Sequence, residues 1–337
     1  MSALKGRFCL VLILGLLIFL WPFFTVQAAP YYEGKTIKVI VGHGAGGGYD
    51  RMARMVAKYL PKYIPGKPVA LVDYIPGASG MIAANHLYNM AKPDGLSILT
   101  IDRGLPIAQL LRAEGVRFDT SKFSWIGSTA IEATVLCLRS DLPYKTFADL
   151  QKAKDPIHLG SVGPANTSHQ FPLLLKEFLG ININLVVYPS SADSMLAIER
   201  KEVEGRAGSY TSLKPFIERG LVRPLIRGRV SEPAIENLPV DEDLTPDKKG
   251  KAMMAIRSAG DLTGRPYVAP PGTPAEVMNI LREAFSKAAK DPELKAEASK
   301  YLMTVEYVPA DECLKVVNYV LGQPEEVVKE ISKFIKF

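Results

Sequence analysis

Thr36-Ile37-Lys38-Val39-Ile40-Val41-Gly42-His43-Gly44-Ala45-Gly46-Gly47-Gly48-Tyr49-Asp50 is the stretch that decides how this chain is read. Residues 36–41 form an apolar strand pattern, and helical spacing follows in Arg51-Met52-Ala53-Arg54-Met55-Val56-Ala57. The same grammar recurs at once. Val69-Ala70-Leu71-Val72-Asp73-Tyr74-Ile75 leads into Pro76-Gly77-Ala78-Ser79-Gly80 and then into a helical run from Met81 to Ala91. Glycine lets backbone N–H groups approach a ligand with no side chain between. A helix start adds unpaired N–H donors and a partial positive charge. Two such turns on neighbouring parallel strands predict a single anion pocket.

Strand and helix patterns keep alternating beyond this point, which predicts an α/β fold with crossover helices. Ser97 to Ile101 reads as a third strand, followed by helical spacing over Leu105 to Leu111. After two extended segments (124–129 and 134–138) a second alternation runs from Thr146 to Ile226. Residues 232–247 read as a long surface connection, and Asp247-Lys248-Lys249-Gly250-Lys251 as a solvated basic loop. Thr273 before Pro274 is the expected N-cap of a long helix through Lys290, with helices near 292–301 and 310–320 after it. Two alternating modules with a helical tail predict two lobes: residues 30–127 plus 226–337, and residues 128–225.

Residues 1–28 carry Lys5 and Arg7 ahead of an apolar run from Phe8 to Leu20, and Val26-Gln27-Ala28 supplies a small-residue cleavage pattern. This predicts a secretory signal peptide and a periplasmic location. A retained anchor is the alternative, but the apolar core is short and Pro22 interrupts it. With Lys5 and Arg7 removed, the net charge of +6 falls to +4. No basic stripe interleaved with aromatics occurs, so nucleic acid is not an expected partner. Beyond Cys9, only Cys137 and Cys313 remain, which fits two buried apolar residues and no disulfide framework. The four histidines have no metal-binding spacing, and no cofactor is implied.

Gly42-x-Gly44-x-x-Gly47 satisfies the dinucleotide fingerprint, with Asp73 where a ribose-binding acid belongs. An exported oxidoreductase of the Rossmann type is therefore the rival reading. Against it stand the leader, the looseness of a turn with three consecutive glycines, and Asp50 at the helix start, which would repel a pyrophosphate. His43-Gly44 beside glycines is compatible with an oxyanion loop, yet neither Gly-x-Ser-x-Gly nor a Walker-type phosphate loop is present.

Residues 37–50, Pro76-Gly77-Ala78-Ser79-Gly80 and Ala91-Lys92-Pro93-Asp94-Gly95 together resemble the extracytoplasmic receptors of tripartite tricarboxylate transporters. The resemblance continues at Ser161-Val162-Gly163 to Ser168-His169, at Tyr188 to Val203, and at Val268 to Pro274. Departures fall on the loops: Gly42-His43-Gly44-Ala45 replaces Pro-Phe-Ala-Pro, Ala165-Asn166 follows Gly163 where a second glycine is usual, and Pro189-Ser190 with Asp193 replaces a Lys-Gly pattern. The resemblance implies a two-lobed type II periplasmic binding protein fold, each lobe a mostly parallel sheet flanked by helices. It also implies a non-enzymatic, monomeric receptor that passes a small carboxylate to membrane permease subunits. The expected first-lobe contacts are His43, Gly46, Gly47, Gly48, Tyr49 and Asp50, then Gly77, Ala78, Ser79 and Gly80, with Arg103 as the best-placed cation. Asp50 is read either as a helix cap or as a ligand contact. From the second lobe come Gly163, Ser168, His169, Ser190, Ser191 and Asp193, the last either a selectivity residue or a cap.

Overall fold

The computed structural model describes residues 29–336, so the proposed signal peptide lies outside the described residues. The first lobe opens with β1 (Thr36–Val41), α1 (Gly48–Tyr59), β2 (Val69–Tyr74), α2 (Met81–Asn89), β3 (Ser97–Thr100), α3 (Leu105–Leu110) and β4 (Ser124–Ser128). The chain then crosses to β5 (Thr134–Arg139), α4 (Phe147–Gln151), β6 (Ile157–Ser161), α5 (Thr167–Leu179), β7 (Ile183–Val187), α6 (Ser191–Glu199), β8 (Gly205–Ser209), α7 (Tyr210–Glu218) and β9 (Val222–Arg227). Next come α8 (Asp241–Leu244) and α9 (Lys248–Ala259), and the chain rejoins the first sheet at β10 (Pro266–Ala269). It ends with α10 (Ala275–Lys290), α11 (Pro292–Lys300), β11 (Val308–Pro309), α12 (Ala310–Leu321) and α13 (Glu325–Phe334).

The first sheet has the order β11-β4-β10-β3-β1-β2 and the second β7-β6-β8-β5-β9. Both are mixed, where mostly parallel sheets were expected. The βα units pair in parallel (β2-β1-β3 and β7-β6-β8), while strands entering from the other lobe (β5, β10) pair antiparallel to their neighbours. A crossing strand needs no covering helix, so nothing forces it parallel.

Alternate residues of β1 reach opposite faces of its sheet. Ile37, Val39 and Val41 join a core with α1 and α10, whereas Ile40 packs with Ala83, Ala84 and Leu87 of α2 and with Cys313 and Val317 of α12. In the second lobe, Leu136 and Leu138 of β5 pack with Phe171, Leu174 and Leu175 of α5, and Val135 and Cys137 pack with Met195 and Ile198 of α6. Cys137 and Cys313 are both free and buried, and burial pushes the Cys313 thiol up to about 12.

The lobe boundary near residue 226 is corrected by this packing. Met253, Met254 and Ile256 of α9 bury themselves in the second-lobe core, as do Ile331 of α13 and Ile335 beyond it. Phe334 meets Phe178 of α5 edge to face at 5.0 Å. Both segments carry apolar faces that α5 can cover, so they stay with the second lobe even though β10 has returned to the first. The basic run 247–251 is likewise no loop: Asp247 caps α9, its carboxylate accepting N–H bonds from Lys249 and Gly250.

Candidate ligand-binding cleft

The first glycine turn leaves β1 and passes directly over the second. A Cβ on Gly42 would lie 2.9 Å from Gly80 Cα, so this crossing needs glycine. The second turn is held in the left-handed region at four successive residues, Gly77, Ala78, Ser79 and Gly80. For Ala78 and Ser79 that conformation is unusual and costs free energy. One compensation is visible across the lobe seam, where Ser79 Oγ donates to the Val162 carbonyl at 2.8 Å.

The seam divides the space between the lobes in two. On one side lies a cleft of ≈ 310 Å³ lined by His43, Gly46, Gly47, Gly48, Tyr49 and Arg103 of the first lobe and by Ser191 of the second. On the other, Gly77, Ala78, Ser79 and Gly163 line a wider cavity of ≈ 640 Å³ with Pro76, Val162 and Tyr188. The two glycine turns thus border adjoining spaces, the first turn the narrower cleft and the second the wider cavity. His43 alone among the expected residues borders both, its ring stacked on Tyr49 at 5.0 Å and its Nε2 3.0 Å from Asp102 Oδ2. Asp102 is itself tied to the opposite lobe, accepting from Asn166 Nδ2 at 2.6 Å.

Asp50, Gly80, Ser168, His169, Ser190 and Asp193 border neither space. Their polar atoms are engaged locally. Asp50 is not the N-cap of α1, a position taken by Gly47; its carboxylate accepts the Gly46 N–H at 2.7 Å and also holds Arg54 and Tyr74, which closes the turn and engages the Gly46 amide. Ser168 Oγ accepts from the Val162 amide, and His169 meets Ser161, its ring pKa lowered by burial. Ser190 caps α6 by accepting the Asp193 N–H, and its hydroxyl donates to the Asp193 carboxylate at 2.6 Å.

Arg103 is buried rather than superficial. Its guanidinium donates to Thr134 and Ser209 and lies 3.2 Å from Asp261, an ion pair supplied by the segment that returns to the first lobe. Burial alone would depress its pKa, but Asp261, Tyr49, Glu132 and Asp102 outweigh that and raise it.

Three further arginines complete the cleft wall: Arg51 of α1, Arg206 of β8, and Arg265 just before β10. Arg265 pairs with buried Glu132 at 2.7 Å and donates to Thr211 and Ser212. Arg206 is 4% exposed and donates to the Ser191 carbonyl and hydroxyl and to the Ala207 carbonyl. Burial pushes its pKa down to about 10. These three escaped the sequence reading. Arg206 did leave a signal, since a cation between Gly205 and Ala207 in the middle of a small-residue strand has no ordinary place in a core. Met195, Leu213 and Phe216 of the second lobe add an apolar stretch to the lining. Asp73, the candidate ribose acid, instead pairs loosely with Lys38 at 3.8 Å and lines neither space.

Two α/β lobes flanking an arginine-lined cleft are the architecture of the periplasmic solute-binding proteins. Residues 52–332 match the model of the tripartite tricarboxylate transporter family receptor, and the chain belongs to that family. It is thus a solute receptor and not an enzyme. A UPF0065 protein of Bordetella pertussis is 29% identical over 272 residues, 78% of this chain and 79% of that protein. The fold is similar to that of the periplasmic binding protein BugD, with a TM-score of 0.75 and 22% identity over 91% of this chain and all of that one. It is also similar to MatC from Rhodopseudomonas palustris with bound malate, with a TM-score of 0.72 and 18% identity over 87% of this chain and 99% of that one.

Proposed function

We propose that this receptor works in the periplasm, captures a small organic acid in the cleft between its lobes, and delivers it to the membrane permease of a tripartite tricarboxylate-type transporter. The observation that carries the reading is the cleft wall: four guanidinium groups and the start of α1 border it, against a single carboxylate, Glu199. A helix N-terminus favours anions. Burial in a closed cleft strengthens each charge-assisted hydrogen bond, worth roughly 1.5–3 kcal/mol apiece. The cleft is of a size that suits a small metabolite, and the malate bound to MatC agrees with an organic acid ligand. Membership of the tripartite tricarboxylate transporter receptor family supports a membrane permease as the partner.

A thermal-shift series on the purified receptor tests this. Carboxylates should raise the melting temperature in a saturable way, ligand at a hundredfold above Kd stabilising the fold by about 2.7 kcal/mol. Neutral sugars should leave it unchanged. Stabilisation by sugars with none by any carboxylate would overturn the reading.

A further inference from the structure

The charges around the cleft do not balance, and the imbalance names the residues that recognise the ligand. Arg103 is neutralised by Asp261, which also meets Arg257 at 2.9 Å, and Arg257 in turn reaches Asp241 at 3.4 Å. Arg265 is neutralised by Glu132. Glu199 at the rim belongs to Arg219, 2.7 Å away. The Asp102 carboxylate is spoken for in the seam by Asn166, the Gly104 amide and His43. Arg206 and Arg51 are left with no carboxylate partner among the described residues. Arg206 is buried with only neutral acceptors, and the Nε of Arg51 is buried with no hydrogen-bond partner. Burial and then the Arg265 charge lower the Arg51 pKa, and Glu132 and Asp50 offset this only in part. A guanidinium removed from water without a counter-charge is costly, and an anion entering the cleft would relieve that cost.

We propose that Arg206 and Arg51 form a two-sided cationic clamp that determines specificity, selecting a dianion whose carbon skeleton lies against Met195, Leu213 and Phe216. This rests on the carboxylate reading above and deepens it, because it assigns recognition to two side chains instead of to the glycine-turn amides. Arg51 stands on α1 of the first lobe and Arg206 on β8 of the second. A dianion bridges the lobes by pairing with both. A monoanion leaves one guanidinium unpaired, so it should bind more weakly and close the lobes less completely.

Isothermal titration with succinate and adipate, against butyrate and hexanoate of matching length, tests the clamp. On the wild-type receptor each dicarboxylate should bind at least about tenfold tighter than its monocarboxylate, an advantage that falls with rising salt. Arg206→Gln should weaken both classes about tenfold or more, while Arg206→Lys recovers part of the loss. Arg51→Gln should weaken only the dicarboxylates and so collapse the gap. A purely structural Arg206 would lower the melting temperature of the empty protein, whereas a clamp residue leaves it unchanged or raised and loses only the ligand-induced shift. Should Arg206→Gln not fold, Arg51→Gln and the wild-type comparison still decide. Equal binding of both classes, or unaltered binding by both glutamine variants, overturns the clamp and leaves the carboxylate receptor standing. If none of the four acids binds while a neutral solute does, the receptor reading falls and the clamp with it.

Discussion

A single buried carboxylate, Asp261, holds two guanidinium groups that come from different parts of the chain. Arg103 follows β3 of the first lobe, and Arg257 sits on α9 against the second-lobe core. Removing one member of such a pair strands the other charge away from water, so Asp261→Asn should cost about 3–5 kcal/mol in urea unfolding. A loss under about 1 kcal/mol would show that water reaches the network. The presence of Arg103 near the site was legible from its place after β3. Its neutralisation was not, because the partner lies 158 positions later in the numbering. The glycines divide in the same way. Gly46 and Gly80 have positive φ, as a tight turn needs. Gly47 has φ −79° and an imagined Cβ meets only Ser191 at 3.7 Å, so backbone freedom does not require glycine there.

Helix starts show how far local chemistry carries. Thr146 forms a capping box with Asp149 at α4, and Asn166 caps α5 by accepting the Ser168 N–H. The Ser190–Asp193 pair does the same for α6. Asp193→Ala should therefore lower stability by about 0.5–2 kcal/mol and weaken all carboxylates to a similar, small extent. A selective loss among ligands, read by titration calorimetry, would restore Asp193 to the site. Two element expectations shift for physical reasons. Thr273 does not cap α10; its hydroxyl donates to the Pro270 carbonyl and Pro274 takes the cap position. The terminal helix α13 was missed because its short apolar stripe looks solvent-bound until α5 and α9 supply a surface for it.

At the scale of the whole molecule, glycines and small side chains let the two lobes approach closely along the seam, beside the longer contacts of Asp102 with Asn166 and of Arg265 with Thr211 and Ser212. Gly44 faces Ser190, Gly163 faces Ser79, and an imagined Cβ on Gly104 would lie 2.1 Å from the Ala165 carbonyl oxygen. Gly104 has φ −85° and ψ −11°, an ordinary conformation for alanine. Gly104→Ala should thus leave both lobes folded while wedging the seam open. The expected result is a melting temperature near that of the wild type, a larger radius of gyration by small-angle scattering with adipate present, and affinity reduced about tenfold or more. Wild-type compactness and affinity would place closure on another contact.

Most of the order of strands and helices, the glycine turns, the family and the two-lobed fold were determined by the sequence itself, because periodicity, turn chemistry and helix starts are properties of neighbouring residues. Which turn faces which cavity, and which arginine stays charged without a partner, were decided only by the tertiary structure. Charge compensation is set by distance in space. Asp261 reaches Arg103 and Glu132 reaches Arg265, whereas no acid among the described residues lies within ion-pair distance of Arg206, and the sequence neighbours of an arginine do not say which acid the fold will bring to it.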